Sequence, residues 1–235
     1  MNKPNFNNFI QVAGVIDKPE AEMLINCGVH YLGFPLRLPV NKEDLTENEA
    51  AEIIKTLLPP VYGVVISYSS TAIEAIELCD KLNAKIIQLH GPIEPDELRK
   101  LKNLRSDILV IKSLVIKENN TEELIKTITK TESYVEAYIT DTFNPATGAS
   151  GATGKTHNWE ISKHFVELST KPVILAGGLN ADNVYEAILK VKPAGVDVHT
   201  GVENKSGRKD ERLVKKFVTE TKRAFYDLNK LYYKT

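Results

Sequence analysis

Three stretches between Tyr138 and Asp210 hold the residues best suited to chemistry: Tyr138 to Thr142 (YITDT) with Gly151 to Trp159 (GATGKTHNW) close behind, Lys171 to Leu179 (KPVILAGGL), and Gly195 to Glu203 (GVDVHTGVE). Each is an apolar run of β character that breaks into small, polar or acidic residues. Carboxylates and imidazoles at such breaks can move protons, and small-residue loops can receive an anion on backbone amides. Reactive groups that collect at successive strand ends, in a chain of alternating strands and helices, point to a barrel with its chemistry at one mouth.

The stretch from Gly148 to Thr156 invites comparison with a nucleotide-binding P-loop, which needs four residues between its first glycine and the Gly-Lys pair. Counting back from Gly154 puts Ala149 at the required place, and Gly148 is one residue too far. The register fails. A glycine-rich lid over the mouth, containing Gly151, Thr153, Gly154 and Lys155, fits better.

These groups need elements to position them, and eight strand-like runs are present: 9–15, 31–34, 62–67, 85–90, 108–114, 135–141, 173–177 and 195–199. Most are short continuous runs of Val, Ile and Leu, as in strands buried on both faces of a parallel sheet. Helix signals lie between them. Thr46 with Glu49 and Thr71 with Glu74 fit the capping box, and Asn180 is an N-cap candidate for a helix through Lys190. Ala72, Ile73, Ala75, Ile76, Cys79 and Leu82 predict an apolar stripe on the third helix. Eight units in 235 residues average about 29 residues each, near the minimum for a strand, a crossover helix and two turns. The expected fold is α/β, a single-domain (β/α)8 TIM barrel over residues 1–235, with a short polar leader at 1–8 and an extended C-terminal helix at about 211–233. An open doubly wound sheet is the alternative, but the Gly-x-Gly-x-x-Gly fingerprint is absent after the first strand.

Composition narrows the function classes. Forty-two per cent hydrophobic and 26% charged residues suit one domain with a sizeable core. Thirty basic against thirty-one acidic residues leave a net charge of −1, so no global basic field is available to hold nucleic acid or an anionic membrane. No apolar run approaches the roughly 20 residues of a spanning helix, and the polar start is unlike a signal sequence. A cytoplasmic location is expected. Cys27 and Cys79 read as small apolar fillers rather than a disulfide or metal pair, and neither a metal nor a cofactor is expected.

Gln88-Leu89-His90-Gly91, Asp141-Thr142, the Gly151 to Thr156 segment, the run from Pro172 to Val184, Gly195 to Val198, Gly201-Val202-Glu203 and Gly207-Arg208-Lys209-Asp210 together resemble the phosphoribosylanthranilate isomerase family of tryptophan biosynthesis. The resemblance spans nearly the whole chain and is strongest from the fourth strand onward. It implies an Amadori rearrangement, in which an N-linked phosphoribosyl amine opens its ring and becomes a 1-amino-1-deoxyribulose phosphate. It also implies that Asp141 is the general acid that protonates the furanose oxygen. A turn-capping role is the bland alternative for this aspartate. Gly177, Gly178, Thr200 and Gly201 would form the phosphate cup, while Asp197 and His90 would contact the rest of the substrate; the family's second-loop arginine does not align cleanly with this chain, and Arg37 or Lys42 would compensate for it. The implied partner is a small phosphorylated sugar-amine, and the chain is monomer or homodimer.

One position departs sharply. Where the family ends its first strand with a catalytic cysteine as general base, this chain has Ala13, in Gln11-Val12-Ala13-Gly14. Loss of a positioned base costs on the order of 10²–10⁴ in rate. His199, at the end of the eighth strand, and Asp17, in the first βα loop, are the candidate replacements. The alternative is a catalytically impaired or repurposed barrel that keeps the phosphate cup. A second departure is His157-Asn158 in place of the family's Phe-Asp.

Overall fold

The computed structural model describes residues 4–39, 44–144, 149–150 and 156–232. Eight parallel strands close into a ring: β1 (Phe9–Ala13), β2 (Tyr31–Leu36), β3 (Tyr62–Ser67), β4 (Ile86–Leu89), β5 (Leu109–Ile116), β6 (Ala137–Asn144), β8 (Val173–Leu175) and β9 (Gly195–Val198). Closure is made by β1 lying between β2 and β9, with Gln11 opposite Tyr31 on one side and Asp197 on the other. A two-residue strand, β7 (Ala149–Ser150), pairs antiparallel with the end of β6 and stands outside the ring. The expected barrel is therefore the observed one, and the open sheet is excluded.

Helices α1 (Lys18–Asn26), α2 (Glu47–Ile54), α3 (Ala72–Leu82), α4 (Pro95–Leu104), α5 (Thr121–Thr131), α6 (Trp159–Leu168), α7 (Val184–Val191) and α8 (Glu211–Tyr232) follow the barrel strands in turn. Both capping boxes are formed at Thr46 and Thr71. The third-helix stripe is rotated from expectation: Ala72, Ala75, Leu78, Cys79 and Leu82 face inward, whereas Ile73 is 44% exposed. The cap of helix α7, Asn183, lies three residues beyond the expected one. Asn180 still accepts from the amides of Asp182 and Asn183, but in the turn before the helix. Along α8, Val214, Phe217, Val218, Phe225 and Leu228 are buried on one stripe against the barrel. Among the described residues, no helix is long and apolar enough to cross a membrane.

Two apolar layers result. One fills the space between strands and helices, and the second lies inside the ring, where Phe9, Tyr31, Val64, Ile86, Ile111, Ala137, Ile139 and Ile174 meet. The described part of the leader packs on the barrel: Phe6 is buried and stacks on Phe9 at 5.7 Å, Phe9 stacks on Tyr31 at 4.0 Å, and the Tyr31 hydroxyl donates to Asn5 O at 2.7 Å. These aromatics floor the barrel, so its polar groups gather at the opposite, C-terminal end.

Gly195 opens β9 for a steric reason. A Cβ there would lie 2.5 Å from Phe9 Cβ and 2.7 Å from Phe9 O, so the backbone and Cβ of Phe9 occupy the space that a side chain at 195 would need. Gly195→Ala is expected to destabilise the fold by at least about 2 kcal/mol, through overpacking against backbone. Urea unfolding measures this, and an unchanged midpoint would contradict the contact.

Candidate active site

At the mouth, the inward positions of the strands change from aliphatic to polar. Gln11 of β1 donates through Nε2 to Gln88 Oε1 of β4 at 2.9 Å, bridging the barrel just above its apolar interior. His90 follows β4. Its amide donates to Ser67 O, its Nδ1 lies 2.9 Å from Ser113 Oγ, and Tyr68 packs edge-on at 5.0 Å. The ring is buried, with Nε2 turned toward Asp141 at 3.9 Å from Oδ2.

Asp141 lies in β6 with its side chain 13% exposed, and burial raises its carboxyl above the usual range. The His90 ring and the Thr142 amide, which donates to Oδ1 at 2.7 Å, oppose that rise without cancelling it. Asp197 in β9 is pushed up to about 7, first by burial and then by the nearby Asp141 charge, while Gln11 and Lys209 pull the other way. Its Oδ1 is buried without a hydrogen-bond partner among the described residues. Two carboxyl groups that hinder each other's ionisation can hold a proton near neutral pH.

The loops after β8 and β9 meet beside this pair. Gly177 and Gly178 both have left-handed backbone, with φ of 95° and 65°. A Cβ at Gly177 would fall 2.3 Å from Thr142 Oγ1, so the loop after β8 closes against the residue next to Asp141. A Cβ at Gly201 would fall 1.9 Å from Leu179 O, so the loop after β9 rests on the loop after β8. Thr200 and Gly201 belong to a short 3-10 turn, Thr200–Val202, which the sequence did not reveal. Asn183 Nδ2 donates to Gly178 O and helps fix the loop after β8.

The two candidate bases differ sharply. Asp17 is the N-cap of α1: it accepts from Glu20 N at 2.8 Å, pairs with Arg208 at 2.7 Å, and is held below the usual carboxylate range by those partners despite some burial. The order Asp17-Lys18-Pro19-Glu20 carried that signal, an N-cap residue followed by proline in the first turn. His199 instead reaches across to the end of β1. A Cβ on Gly14 would sit 2.1 Å from His199 Nε2, so the imidazole lies over the glycine that follows Ala13. Burial and the Lys209 charge lower its pKa to about 3, which keeps the ring neutral.

Arg37 stands one residue beyond β2, at the rim, with left-handed backbone, and Nε donates to Glu47 Oε1 at 2.7 Å. Lys42 and the lid residues Gly151, Thr153, Gly154 and Lys155 lie outside the described residues. Cys27 caps the C-terminal end of α1 rather than falling within it. Cys79 is buried in α3, with its thiol pushed up to about 12, so neither supplies a base at the mouth.

Two groups escaped the sequence reading. His157 accepts or donates at 2.9 Å to Thr142 Oγ1 and also contacts Ser162, fastening the start of α6 to the end of β6, and burial lowers it to about 4. Its replacement of a phenylalanine was visible, but a partner 15 residues upstream was not. Lys112 is buried in β5, where Nζ donates to Gly91 O at 2.9 Å and Ser113 O at 3.2 Å, and burial lowers it to about 8. It ties together the two strand ends that hold His90.

The sequence model of N-(5'-phosphoribosyl)anthranilate isomerase matches residues 11–220. A relative from Methanosarcina mazei, N-(5'-phosphoribosyl)anthranilate isomerase 2, is 32% identical over 223 residues, covering 94% of this chain and 97% of its own. The structure of the Pyrococcus furiosus isomerase superposes with a TM-score of 0.74 at 27% identity, covering 92% of this chain and 99% of that one. A further isomerase structure, in complex with reduced 1-(o-carboxyphenylamino)-1-deoxyribulose 5-phosphate, shares the fold with a TM-score of 0.75 at 23% identity and covers the same shares. A family match over most of the barrel, together with a relative covered almost end to end, means that this chain belongs to the phosphoribosylanthranilate isomerase family.

Proposed function

We propose that the chain catalyses the Amadori rearrangement of N-(5'-phosphoribosyl)anthranilate in tryptophan biosynthesis, with Asp141 as acid and His199 as base. The observation that carries this reading is the His199 ring lying over Gly14, beside the alanine that stands in the usual base position. The reduced compound bound by the family member indicates the shape of the ligand: a phosphorylated, ring-opened sugar joined to a carboxyphenyl amine.

The 5'-phosphate would bind between Gly177-Gly178 and Thr200-Gly201, where closely packed loops admit an anion next to Asp141. Asp141, whose hold on a proton is strengthened by burial, gives its proton to the furanose oxygen as the C1–O bond breaks, and the amine nitrogen's lone pair forms the iminium. Neutral His199 then takes the proton from C2, and those electrons neutralise the iminium to give an enolamine. Proton transfer from the C2 hydroxyl to C1 completes the aminoketose. No atom is gained or lost. Asp197 offers a buried, unpartnered oxygen to the hydroxyl or amine hydrogens of the opened chain. His90 steadies Asp141 from 3.9 Å, and Arg37 contributes at the rim. The pairing of Asp17 with Glu20 N and Arg208 favours His199 over Asp17 as base.

Ala13 also supports a second reading, a barrel that retains phosphate-ester binding without proton transfer. Steady-state turnover separates the two. The parent is expected to turn over phosphoribosylanthranilate, and Asp141→Asn and His199→Ala are each expected to lower kcat by about 10²–10⁴. Parent-level turnover in His199→Ala removes His199 as base. An inactive parent that Ala13→Cys activates supports the second reading.

Asp197 links this role to stability. Its proton affinity is raised on folding, so its contribution to stability is complete below the ordinary value of 3.8 and is lost as pH rises to about 7. Asp197→Asn is therefore expected to stabilise the fold near neutral pH by on the order of 2–4 kcal/mol while lowering turnover. The stability gap should shrink toward pH 4. Urea unfolding at both pH values checks this, and an equal gap at the two would contradict it.

A further inference from the structure

A base that starts as a half-buried neutral imidazole must become an imidazolium during proton transfer, and something must orient and stabilise it. His199 Nε2 lies 3.4 Å from Glu203 Oε1. The same oxygen accepts from Lys209 Nζ at 2.6 Å, and that ammonium also reaches His199 O at 3.4 Å. The Lys209 side chain is 1% exposed and Glu203 is 17% exposed, so the pair is well shielded from water.

The chain builds this arrangement through a small hairpin. Glu203 and Lys209 face each other as an antiparallel bridge, closed by Asn204 N to Arg208 O and Asp210 N to Val202 O, both at 2.8 Å. Buried Glu20 fixes the hairpin to the end of β1: Oε1 accepts from Lys209 N at 2.8 Å, and Oε2 accepts from Ile16 N at 3.1 Å. The carboxylate and the imidazole are thus set from opposite sides of the same corner. A lone pair on Nε2 would face an anionic oxygen, whereas an N–H there can donate to it.

Resting on His199 as base, we propose that Glu203, held in place by Lys209, is a positioning residue: it holds the His199 ring in the Nε2–H form and stabilises the ring once protonated. Lys209 holds Glu203 in place through its 2.6 Å hydrogen bond, and its charge disfavours protonation of the ring. In the substrate complex the 3.4 Å separation closes to a hydrogen bond, as acid–base contacts in free enzymes commonly do.

The test is the tautomer of His199, read by two-bond 1H–15N correlation spectra of the labelled full-length protein, alongside kinetics. The parent is expected to show Nε2–H. Glu203→Gln is expected to shift the ring toward Nδ1–H and to lower kcat at least about tenfold, with KM changed less than about threefold. In a His199→Ala background the same substitution should cost nothing further. A parent ring in the Nδ1–H form overturns the proposal without recourse to any variant. An unchanged tautomer in a folded Glu203→Gln protein, or an equal loss of kcat with and without His199, also overturns it. Full turnover by His199→Ala with the tautomer shift intact refutes the base assignment but retains the orientation of the ring.

Discussion

Two carboxyl groups face a confined, poorly hydrated space at one end of a closed barrel, and each makes ionisation of the other less favourable. Burial is the larger influence on both Asp141 and Asp197, and the charge of Asp141 adds to the rise at Asp197. An acid that must hold a proton at neutral pH needs such surroundings. The apolar layer beneath supplies them. Phe6, Phe9 and Tyr31 floor the barrel, and Gln11 and Gln88 bridge its upper part, so the polar groups are confined to the C-terminal mouth. The unfavourable burial of Asp197 is sustained by the rest of the fold, the usual relation between an active site and its scaffold.

The mouth is assembled by close approach as much as by hydrogen bonds. Gly14 leaves room for an imidazole, Gly177 for the Thr142 hydroxyl, and Gly201 for a carbonyl of the neighbouring loop. Gly14 and Gly177 also require left-handed backbone, so a larger residue at either would be both strained and obstructed. These contacts connect β1 with β9, β6 with the loop after β8, and that loop with the one after β9. Asp141, the loops after β8 and β9 and His199 therefore belong to a single packed rim, and a shift in one loop would disturb the others.

Much of this architecture is legible in the sequence because parallel strands buried on both faces are written as short apolar runs, and because Thr46 and Thr71 announce their helices with capping boxes. Strand ends were legible too, which is why Asp141, Asp197, His90 and the glycine pairs stand out. Partnerships distant in sequence were not. Nothing around Lys112 in its apolar run discloses that its ammonium satisfies carbonyls more than 20 residues earlier. His157 likewise gains meaning only beside Thr142. Asp17 was legible in principle as a cap, and Ile73 shows how a helix of many apolar residues leaves its buried face ambiguous until Leu78 packs.

The most direct measurement is a crystal structure of this chain with reduced 1-(o-carboxyphenylamino)-1-deoxyribulose 5-phosphate. The phosphate should rest between Gly178 and Gly201, with the carbon corresponding to sugar C2 within roughly 3.5 Å of the His199 ring. A ligand whose C2 lies against Ala13 with no ionisable side chain in reach, or whose phosphate lies outside the two glycine loops, would contradict the assignment of the reaction to this mouth.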